Sequence, residues 1–324
     1  MKKIVLSLVL LLALGLSSCQ KPNTNEPKNP VTDTFLDKGI KVYTRDAASG
    51  TREAFFEIIG HKAAAKDNSL LAASMSEVTG NGDMIAKVKA DQYGIGYISL
   101  SSLETSGLKG LKVNGVEPTE ANVLNGTYQI MRNFNYMIRS EFSQEAEKHL
   151  VEAFVAYMTS IEGLGAIAGE GGIVDTKGAK PWSQVLLTLS NDVQAQLKAD
   201  NQNITLKLGG STSVEKVAIA LGREFSSVAG GVVITNNHTG SGDAYKRTQG
   251  GDKDSANALH IGFLSREVNA SEPALENTYG KVATDAIVVV IHPDNQVIDG
   301  ITIDLLSRIF LKGDQQATLW KDAK

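Results

Sequence analysis

Cysteine is almost absent from this chain of 324 residues, and its one copy is Cys19. An internal disulfide therefore cannot form. The five histidines show no metal-ligand spacing, and the chain contains neither a Gly-x-Ser-x-Gly nucleophile elbow nor a Gly-Lys-Ser/Thr phosphate loop. The chain contains no block of basic residues of the kind that would indicate a nucleic-acid surface. These absences argue against a disulfide scaffold, a metal site and a nucleic-acid partner. They leave only His238, close to Ser241, as a candidate base for a hydrolase.

The apolar run over residues 4–14 is too short to span a bilayer as a mature helix. Two lysines precede it and Leu16-Ser17-Ser18-Cys19 follows it, an arrangement typical of an export signal with a small-residue cleavage site. A single Cys directly after Leu-Ser-Ser resembles the bacterial lipobox, in which that Cys is lipidated and becomes the first residue. We therefore predict a signal peptide over residues 1–19 and a lipid on Cys19, with ordinary secretion and a stray thiol as the alternative.

Residues 20–37 are predicted to form a flexible tether, because three of the seven prolines lie there among Asn, Lys and Thr. Removal of the signal peptide takes away Lys2 and Lys3 and changes the formal net charge from −4 to −6. About 285 residues remain after the tether, which is enough for two domains of ordinary size.

Three short turns rich in Ser, Thr and Gly lead directly into helical patterns, at residues 44–53, 209–215 and 239–244. Each offers small hydroxyl groups and free backbone N–H groups at a helix N-terminus, where proteins hold tetrahedral oxyanions. One such turn alone would be an ordinary helix cap. Three in one chain, the first of them carrying Arg45 and Arg52, predict an anion-binding site. Because the mature chain is acidic, it must attract an anion through local dipoles and a few Arg residues.

Short β-type runs alternate with helical ones along the chain, which predicts an α/β fold. Strands are expected at residues 40–44, 93–100, 204–208, 231–235 and 286–291. Helices are expected at residues 145–161, 181–198 and 301–310. Each of the three turns therefore follows a predicted strand.

Motifs spread over residues 38–320 resemble those of the phosphate-binding proteins of bacterial phosphate ABC transporters, the PstS-like type. The matching segments are 45–55 (Arg-x-x-x-Ser-Gly-Thr-Arg-x-x-Phe), 95–97, 115–119, 126–132, 210–213 (Gly-Ser-Thr-Ser), 240–242, 261–267, 285–295 and 309–320. The resemblance implies a two-domain type II periplasmic-binding-protein fold. In that fold the ligand is enclosed between two α/β lobes that close about a hinge with two crossover strands.

The matched motifs stand in swapped order, because in the family the Gly-Ser-Thr-Ser turn comes first and the Arg…Ser-Gly-Thr loop comes in the second half. This predicts a circular permutation, which is tolerated when the old termini are close and the new break is exposed. One lobe would then comprise residues 38–131 plus 292–324, and a continuous second lobe residues 132–291. The crossovers are expected at 127–139 and 288–295. The alternative is a fusion of two half-genes that needs a second copy to complete it.

The resemblance also assigns the ligand contacts. The residues that would bind phosphate are Arg45, Ser49, Gly50 and Thr51 from one lobe, and Ser211, Thr212, Ser213 and Ser241 from the other. Arg45 would supply the formal positive charge and a forked hydrogen-bonding geometry.

Other polar residues near these loops are predicted to act around the site. Arg266 stands where some relatives carry an Asp that accepts the proton of phosphate and so favours phosphate over sulfate. Asp46 and Asp243 are therefore the candidates for that acceptor. Arg52 is expected to pair with a carboxylate such as Glu53 or Asp46, and not with the ligand.

The function implied by the resemblance is that of an extracytoplasmic solute-binding lipoprotein that captures inorganic phosphate and delivers it to an ABC transporter permease. It would be exported, attached to a membrane through a lipid anchor, and face the periplasm or the cell exterior as a monomer. No enzyme activity, cofactor, metal or nucleic acid is expected. The alternatives are a binding protein for sulfate, molybdate or tungstate, and a surface lipoprotein that senses phosphate or adheres. A hydrolase is the least favoured.

Overall fold

The computed structural model describes residues 33–324. The predicted signal peptide, its lipidation site Cys19 and the tether up to residue 32 lie outside the described residues. Within residues 33–324 no single helix is long and apolar enough to cross a membrane. One bent pair, Glu145–Tyr157 with Ile161–Gly169 at 74°, meets the length and composition requirement only together.

Strands and helices alternate along the described chain. The strands are β1 (Lys41–Arg45), β2 (Ser76–Val78), β3 (Gly94–Ser99), β4 (Lys109–Gly110), β5 (Lys112–Val113), β6 (Met131–Ile138), β7 (Thr205–Gly210), β8 (Val233–His238), β9 (Ile261–Leu264), β10 (Tyr279–Ile291) and β11 (Gly300–Ile301). The α-helices are α1 (Asp33–Leu36), α2 (Gly50–Ile58), α3 (Asn81–Ala90), α4 (Leu103–Ser106), α5 (Glu120–Leu124), α6 (Glu145–Tyr157), α7 (Ile161–Gly169), α8 (Trp182–Val185), α9 (Asn191–Lys198), α10 (Glu215–Val228), α11 (Gly242–Thr248) and α12 (Ile303–Phe310).

Nine of these strands form one curled mixed sheet, in the order β2-β1-β3-β10-β6-β9-β7-β8, with β4 also paired to β10. At one end β1 runs parallel to β2 and β3, and at the other end β7 runs parallel to β8 and β9. The long strand β10 pairs antiparallel with β6 and then with β3. Strands β6 and β10 therefore connect the two parallel ends.

Two large hydrophobic cores, one at each end of this sheet, define two lobes. The first core draws on residues 40–130 and 286–323, and its aromatic centre includes Phe55 stacked on Tyr97 with ring centroids 4.2 Å apart. The second core draws on residues 134–283 and includes Phe154 edge-on to Phe225. Ile173 packs in the first core and bridges to Thr284, although its neighbours in sequence belong to the second. We call the surrounding elements the first and second lobes.

The chain passes between the lobes where a buried ion pair joins β6 to β10. Arg132 donates through Nε and NH2 to Asp285 Oδ2 at 3.0 and 2.9 Å, and Ser99 Oγ donates to Asp285 Oδ1 at 2.7 Å. The register of β10 changes partner from β6 to β3 directly after Ala286. The second crossing therefore lies a few residues before the predicted segment 288–295, while β6 falls inside the predicted 127–139.

Two segments predicted as single helices are each divided by a serine. The predicted helix 181–198 consists of α8, a 3-10 turn over Leu186–Thr188, and α9. Ser190 caps α9 by accepting from the Val193 N–H, and Ser160 caps α7 by accepting from the Gly163 N–H, so that α6 ends at Tyr157. A serine hydroxyl that satisfies the first N–H groups of a new helix competes with continuation of the old one.

Candidate anion-binding site

The three predicted turns all follow the carboxyl ends of parallel strands, where α/β sheets place their ligand sites. The first, which we call the Arg45 loop (residues 45–51), joins β1 to α2. The Ser211 loop (residues 211–214) joins β7 to α10, and the Ser241 loop (residues 239–241) joins β8 to α11. The first loop belongs to the first lobe and the other two to the second.

The Arg45 and Ser211 loops touch across the boundary between the lobes. Arg45 NH2 donates to Thr212 Oγ1 at 3.0 Å. Thr51 Oγ1 lies 3.0 Å from Ser213 Oγ, and the two hydroxyls share a hydrogen bond. The lobes are therefore closed on each other at these residues.

The Ser241 loop closes on the same turn from another side. A Cβ at Gly50 would clash with the Ser241 side chain, so glycine at this position permits the close approach. Ser241 Oγ also accepts from the Ser265 N–H at 2.9 Å. The Gly242 N–H donates to Ala48 O at 3.1 Å. All three predicted loops thus meet.

Two of the predicted hydroxyls are used within their own loops. Ser49 Oγ accepts from the Arg52 N–H at 3.3 Å and caps α2. Ser211 Oγ accepts from the Ser213 N–H at 3.2 Å. Their backbone N–H groups are also bonded, that of Ser49 to Asp46 O at 3.1 Å and that of Ser211 to Phe263 O at 2.8 Å. In this structure both serines therefore order the turns.

Arg45 is a buried cation without a carboxylate partner. Its residue is 1% exposed, and NH2 donates to Thr79 O at 2.9 Å in addition to Thr212. Its Nε and NH1 have no hydrogen-bond partner among residues 33–324, and none of the ion pairs in that range includes Arg45. Burial lowers the pKa of the guanidinium below its usual range, yet an arginine side chain stays protonated in proteins. The site therefore holds a buried positive charge without an ion-pair partner among the described residues, which is costly unless an anion joins it.

Arg52 is also buried, and it serves the fold. Its NH1 lies 2.9 Å from Glu77 Oε1 and its NH2 donates to Asn68 Oδ1 at 2.6 Å. Arg52 pairs with a carboxylate, as predicted. The named examples, Glu53 and Asp46, are wrong, because that carboxylate belongs to Glu77. Neighbouring helix positions such as 52 and 53 do not face each other, so Glu53 points elsewhere.

The three residues predicted to lie around the ligand make their side-chain hydrogen bonds and ion pairs with residues other than the predicted contacts. Arg266 Nε lies 3.1 Å from Glu53 Oε2, and its NH1 and NH2 donate to the Glu272 carboxylate at 2.8 and 2.6 Å. Asp46 Oδ1 accepts from the Ala48 N–H, and Asp243 accepts from a hydroxyl in its own loop. Within the described range, no side chain of these three bonds to any of the eight predicted contact residues.

The turn at residues 79–82 also belongs to the site, and it was not predicted from the sequence. Thr79 O accepts from Arg45, and Asn81 Nδ2 donates to Ser213 Oγ at 3.4 Å, so the turn before α3 belongs to the same cluster. The signal was present, because Thr79-Gly80-Asn81-Gly82 is a fourth small, polar, glycine-rich turn that leads from a strand into a helix.

His238 supports the Ser211 loop. Its Nδ1 lies 3.0 Å from Ser211 O, and because a carbonyl only accepts, Nδ1–H is the donor. Burial lowers the pKa of His238 to about 4, so the ring is neutral at pH 7. No hydrogen bond joins His238 to Ser241 within the structure as described, so the two do not form a base–nucleophile pair. Nor do residues 33–324 contain a group of three or more His, Cys, Asp or Glu that could hold a metal ion.

Comparisons with known proteins match both lobes. The model of the PBP superfamily domain matches residues 24–162 and 192–324. Phosphate-binding protein PstS 2 of Streptococcus pneumoniae serotype 4 is 28% identical over 306 residues, which cover 91% of this chain and 90% of that protein. The protein of the same name from Streptococcus agalactiae serotype V is 28% identical over 265 residues, 80% of each chain.

A solved structure resembles the whole fold. The crystal structure of a phosphate ABC transporter phosphate-binding protein from Streptococcus pneumoniae TIGR4 superimposes with a TM-score of 0.59 and 25% identity, covering 89% of this chain and 100% of that one. This match confirms the predicted two-domain α/β fold.

The order of the segments is shared with the pneumococcal relative, because one alignment runs through 91% of this chain and 90% of that protein. A circular permutation relative to family members with the opposite order is not confirmed and stays a prediction. The predicted lobe boundaries stay a prediction as well, and the fusion of two half-genes stays the alternative.

Proposed function

Because this chain belongs to the PBP superfamily, we propose that it is an extracytoplasmic solute-binding protein that captures inorganic phosphate between its two lobes. The observation that carries the proposal is the guanidinium of Arg45. It is buried and positively charged, and two of its nitrogens have no hydrogen-bond partner among the described residues. The Thr212 hydroxyl of the opposite lobe accepts from it, and the hydroxyls of Thr51 and Ser213 bond to each other across the same boundary. The names of the relatives, which are phosphate-binding proteins, agree with this chemistry.

Phosphate has the charge and the oxygens that this cluster requires. Near pH 7 it carries about 1.5 to 2 negative charges and strong acceptor oxygens. The unpaired Nε and NH1 of Arg45 are the donors that would be available to the phosphate oxygens. The hydroxyls of Ser49, Ser211, Thr212, Ser213 and Ser241 and the N–H groups of Gly50 and Thr51 would serve these oxygens, with the helix dipoles of α2 and α10 directed at the anion.

Delivery to an ABC transporter permease follows from the same proposal, since the pneumococcal structure is of a phosphate ABC transporter component. The loops occur once each and meet within one chain, so a monomer would hold a complete site. Relatives named as binding proteins, and the neutral His238 apart from Ser241, favour a role without catalysis.

The membrane attachment is proposed to be a lipid on Cys19, with the folded lobes outside the cytoplasm. Intact mass of the membrane-extracted protein tests this. A mature chain that begins at Cys19 and carries a diacylglycerol adduct is expected, and an unmodified Cys19 would refute the anchor while leaving phosphate binding untouched.

The direct test of the function is calorimetric titration of the purified chain, stripped of bound ligand, with phosphate and then with sulfate and molybdate. One phosphate per chain is expected, with binding lost in Arg45→Ala and weakened in Ser211→Ala. Arg223→Ala is the matched control, because that arginine is 70% exposed on α10. Stronger binding of sulfate or molybdate would favour the alternative oxyanions, and binding of none of the three would contradict the proposal.

A further inference from the structure

Asn81 contributes a buried acceptor to the site, and that acceptor is unpaired. The residue is 7% exposed and opens the ten-residue helix α3. Its Nδ2 donates to Ser213 Oγ in the opposite lobe, whereas its Oδ1 has no hydrogen-bond partner anywhere in residues 33–324. Buried amide oxygens are nearly always hydrogen-bonded, so an unpaired one calls for a donor.

The unpaired acceptor belongs to the same cluster as the unpaired donors of Arg45. Ser213 Oγ is shared between Asn81 and Thr51, whose hydroxyl lies 3.0 Å away. Thr79, two residues before Asn81, holds Arg45 NH2 through its carbonyl. The turn also packs against the opposite lobe, since a Cβ on its glycine at position 80 would lie 3.7 Å from Thr212. The unpaired acceptor and the unpaired donors therefore belong to one network of contacts between the lobes.

Only an anion that carries a proton can satisfy both halves of this cluster. Sulfate at neutral pH has acceptor oxygens alone, which suit Arg45 but leave Asn81 Oδ1 without a donor. Phosphate at the same pH carries at least one O–H. The Asp46 and Asp243 carboxylates each accept a hydrogen bond within their own loops, whereas Asn81 Oδ1 is a buried acceptor that has no partner among the described residues. The guanidinium of Arg266, which has no acceptor, is held by Glu272.

We propose that Asn81 Oδ1 accepts the hydrogen bond of the phosphate O–H, and that Asn81 is a specificity-determining residue for protonated over fully deprotonated oxyanions. This inference rests on the proposed phosphate binding. A neutral amide in this place would not repel a dianion as a carboxylate would, so discrimination against sulfate would come from the unpaired acceptor.

The test is to measure phosphate affinity of the purified chain by calorimetry at pH 7, and sulfate affinity by competition against phosphate, in two variants. Asn81→Ala is expected to weaken phosphate binding about tenfold or more. Its sulfate affinity should not fall and should rise if anything, because the variant no longer buries an acceptor that sulfate leaves unpaired. Asn81→Asp is expected to raise the ratio of phosphate to sulfate affinity, because a carboxylate accepts the O–H and repels an anion without one.

The matched control is Asn133→Ala, which removes a half-buried amide bonded to Glu267 in another part of the boundary between the lobes. It should leave the ratio of the two affinities unchanged. Thermal unfolding without ligand checks that each variant folds, and the isosteric Asp variant keeps the test available if the Ala variant does not. Equal losses for both anions in Asn81→Ala, or an unchanged ratio in Asn81→Asp, would overturn the inference alone. A wild-type chain that binds neither anion would overturn the proposed function as well.

Discussion

Two buried arginines flank the same turn, and their partners differ in kind. Arg52 is 0% exposed and directs NH1 to the carboxylate of Glu77 and NH2 to Asn68. Arg45, at 1% exposure, reaches only a backbone carbonyl and the hydroxyl of Thr212, and two of its nitrogens remain unpaired among the described residues. A buried cation with its own carboxylate stabilises the fold, whereas a buried cation without one indicates a place for an anion.

The lack of a carboxylate partner for Arg45 also explains how a ligand would close the lobes. Closing them without an anion buries the charge of Arg45 without compensation, which is unfavourable. An anion bound between the lobes removes that penalty and adds hydrogen bonds from both sides. It therefore has a higher affinity for the closed arrangement, and that difference in affinity shifts the equilibrium toward it.

The largest expected effect comes from replacing each of the two arginines by methionine. Arg52→Met should lower the free energy of unfolding by about 2–3 kcal/mol, because Asn68 and two backbone carbonyls lose a donor. Glu77 is 41% exposed and can rehydrate, which keeps the loss at this level. Arg45→Met should change the free energy of unfolding by less than about 1 kcal/mol, because the substitution removes a buried charge that has no ion-pair partner. Urea denaturation in phosphate-free buffer measures both.

Arg223→Met is the surface control for this pair, and its unfolding free energy should stay within about 0.5 kcal/mol of wild type. An Arg45 variant as unstable as the Arg52 variant would break the comparison, because Arg45 would then be a structural residue like its neighbour.

Much of the fold could be predicted because its signals are local. The strand expected at residues 40–44 is observed as Lys41–Arg45, and the turn at residues 209–215 does lead into α10. Alternating apolar residues and small capping residues act within a few positions of each other. The breaks at Ser160 and Ser190 were missed, because a serine inside a helical pattern caps a new helix only when the chain turns there.

Interactions between distant residues could not be predicted in the same way. The partner of Arg52 lies 25 residues along the chain, and the partner of Arg266 on the other lobe is Glu53. Which carboxylate faces which guanidinium depends on how the two lobes pack. Asn81 was missed for a related reason, since its importance lies in an oxygen that has no partner, and only three-dimensional packing reveals that.

A smaller effect concerns His238, a half-buried basic group beside the Ser211 loop. Burial lowers its pKa to about 4, so it sheds its charge, which Arg45 cannot do. Between pH 6.5 and 4 the unfolded chain binds this proton and the folded chain does not, so stability is present above the unfolded pKa and is lost as the pH falls. His238→Asn, which can retain a donor to Ser211, should remove about 1–2 kcal/mol of the loss between pH 7 and 4.5.

Urea denaturation of wild type and the His238→Asn variant at the two pH values measures this difference, and NMR titration gives the pKa directly. A wild-type ring that titrates near 6.5 would mean that the folded protein tolerates a positive charge on His238 beside the Ser211 loop. His238 would then keep its charge in the folded protein as Arg45 does, and the contrast between the two residues would not hold.

The smallest expected effect lies in the ion pair between Glu53 and Arg266, which joins the two lobes away from the ligand. Burial alone would raise the pKa of Glu53, but the guanidinium of Arg266 and neighbouring donors hold it below its usual range, so the pair is charged at neutral pH. Because the pair stabilises the closed arrangement, Glu53→Gln should weaken phosphate binding about three- to tenfold without touching the ligand. Glu57→Gln is the control, on the same helix but 54% exposed.

A double-mutant cycle with Arg266→Gln separates this coupling from the pairing of Arg266 with Glu272. If the pair acts through closure, the Glu53 substitution should have little further effect once Arg266 is replaced, with a coupling energy of about 1 kcal/mol. Full additivity of the two substitutions would mean that the pair does not contribute to closure. Among Arg45, Arg52 and Arg266, only Arg45 would then be coupled to the ligand, and the other two would be structural residues.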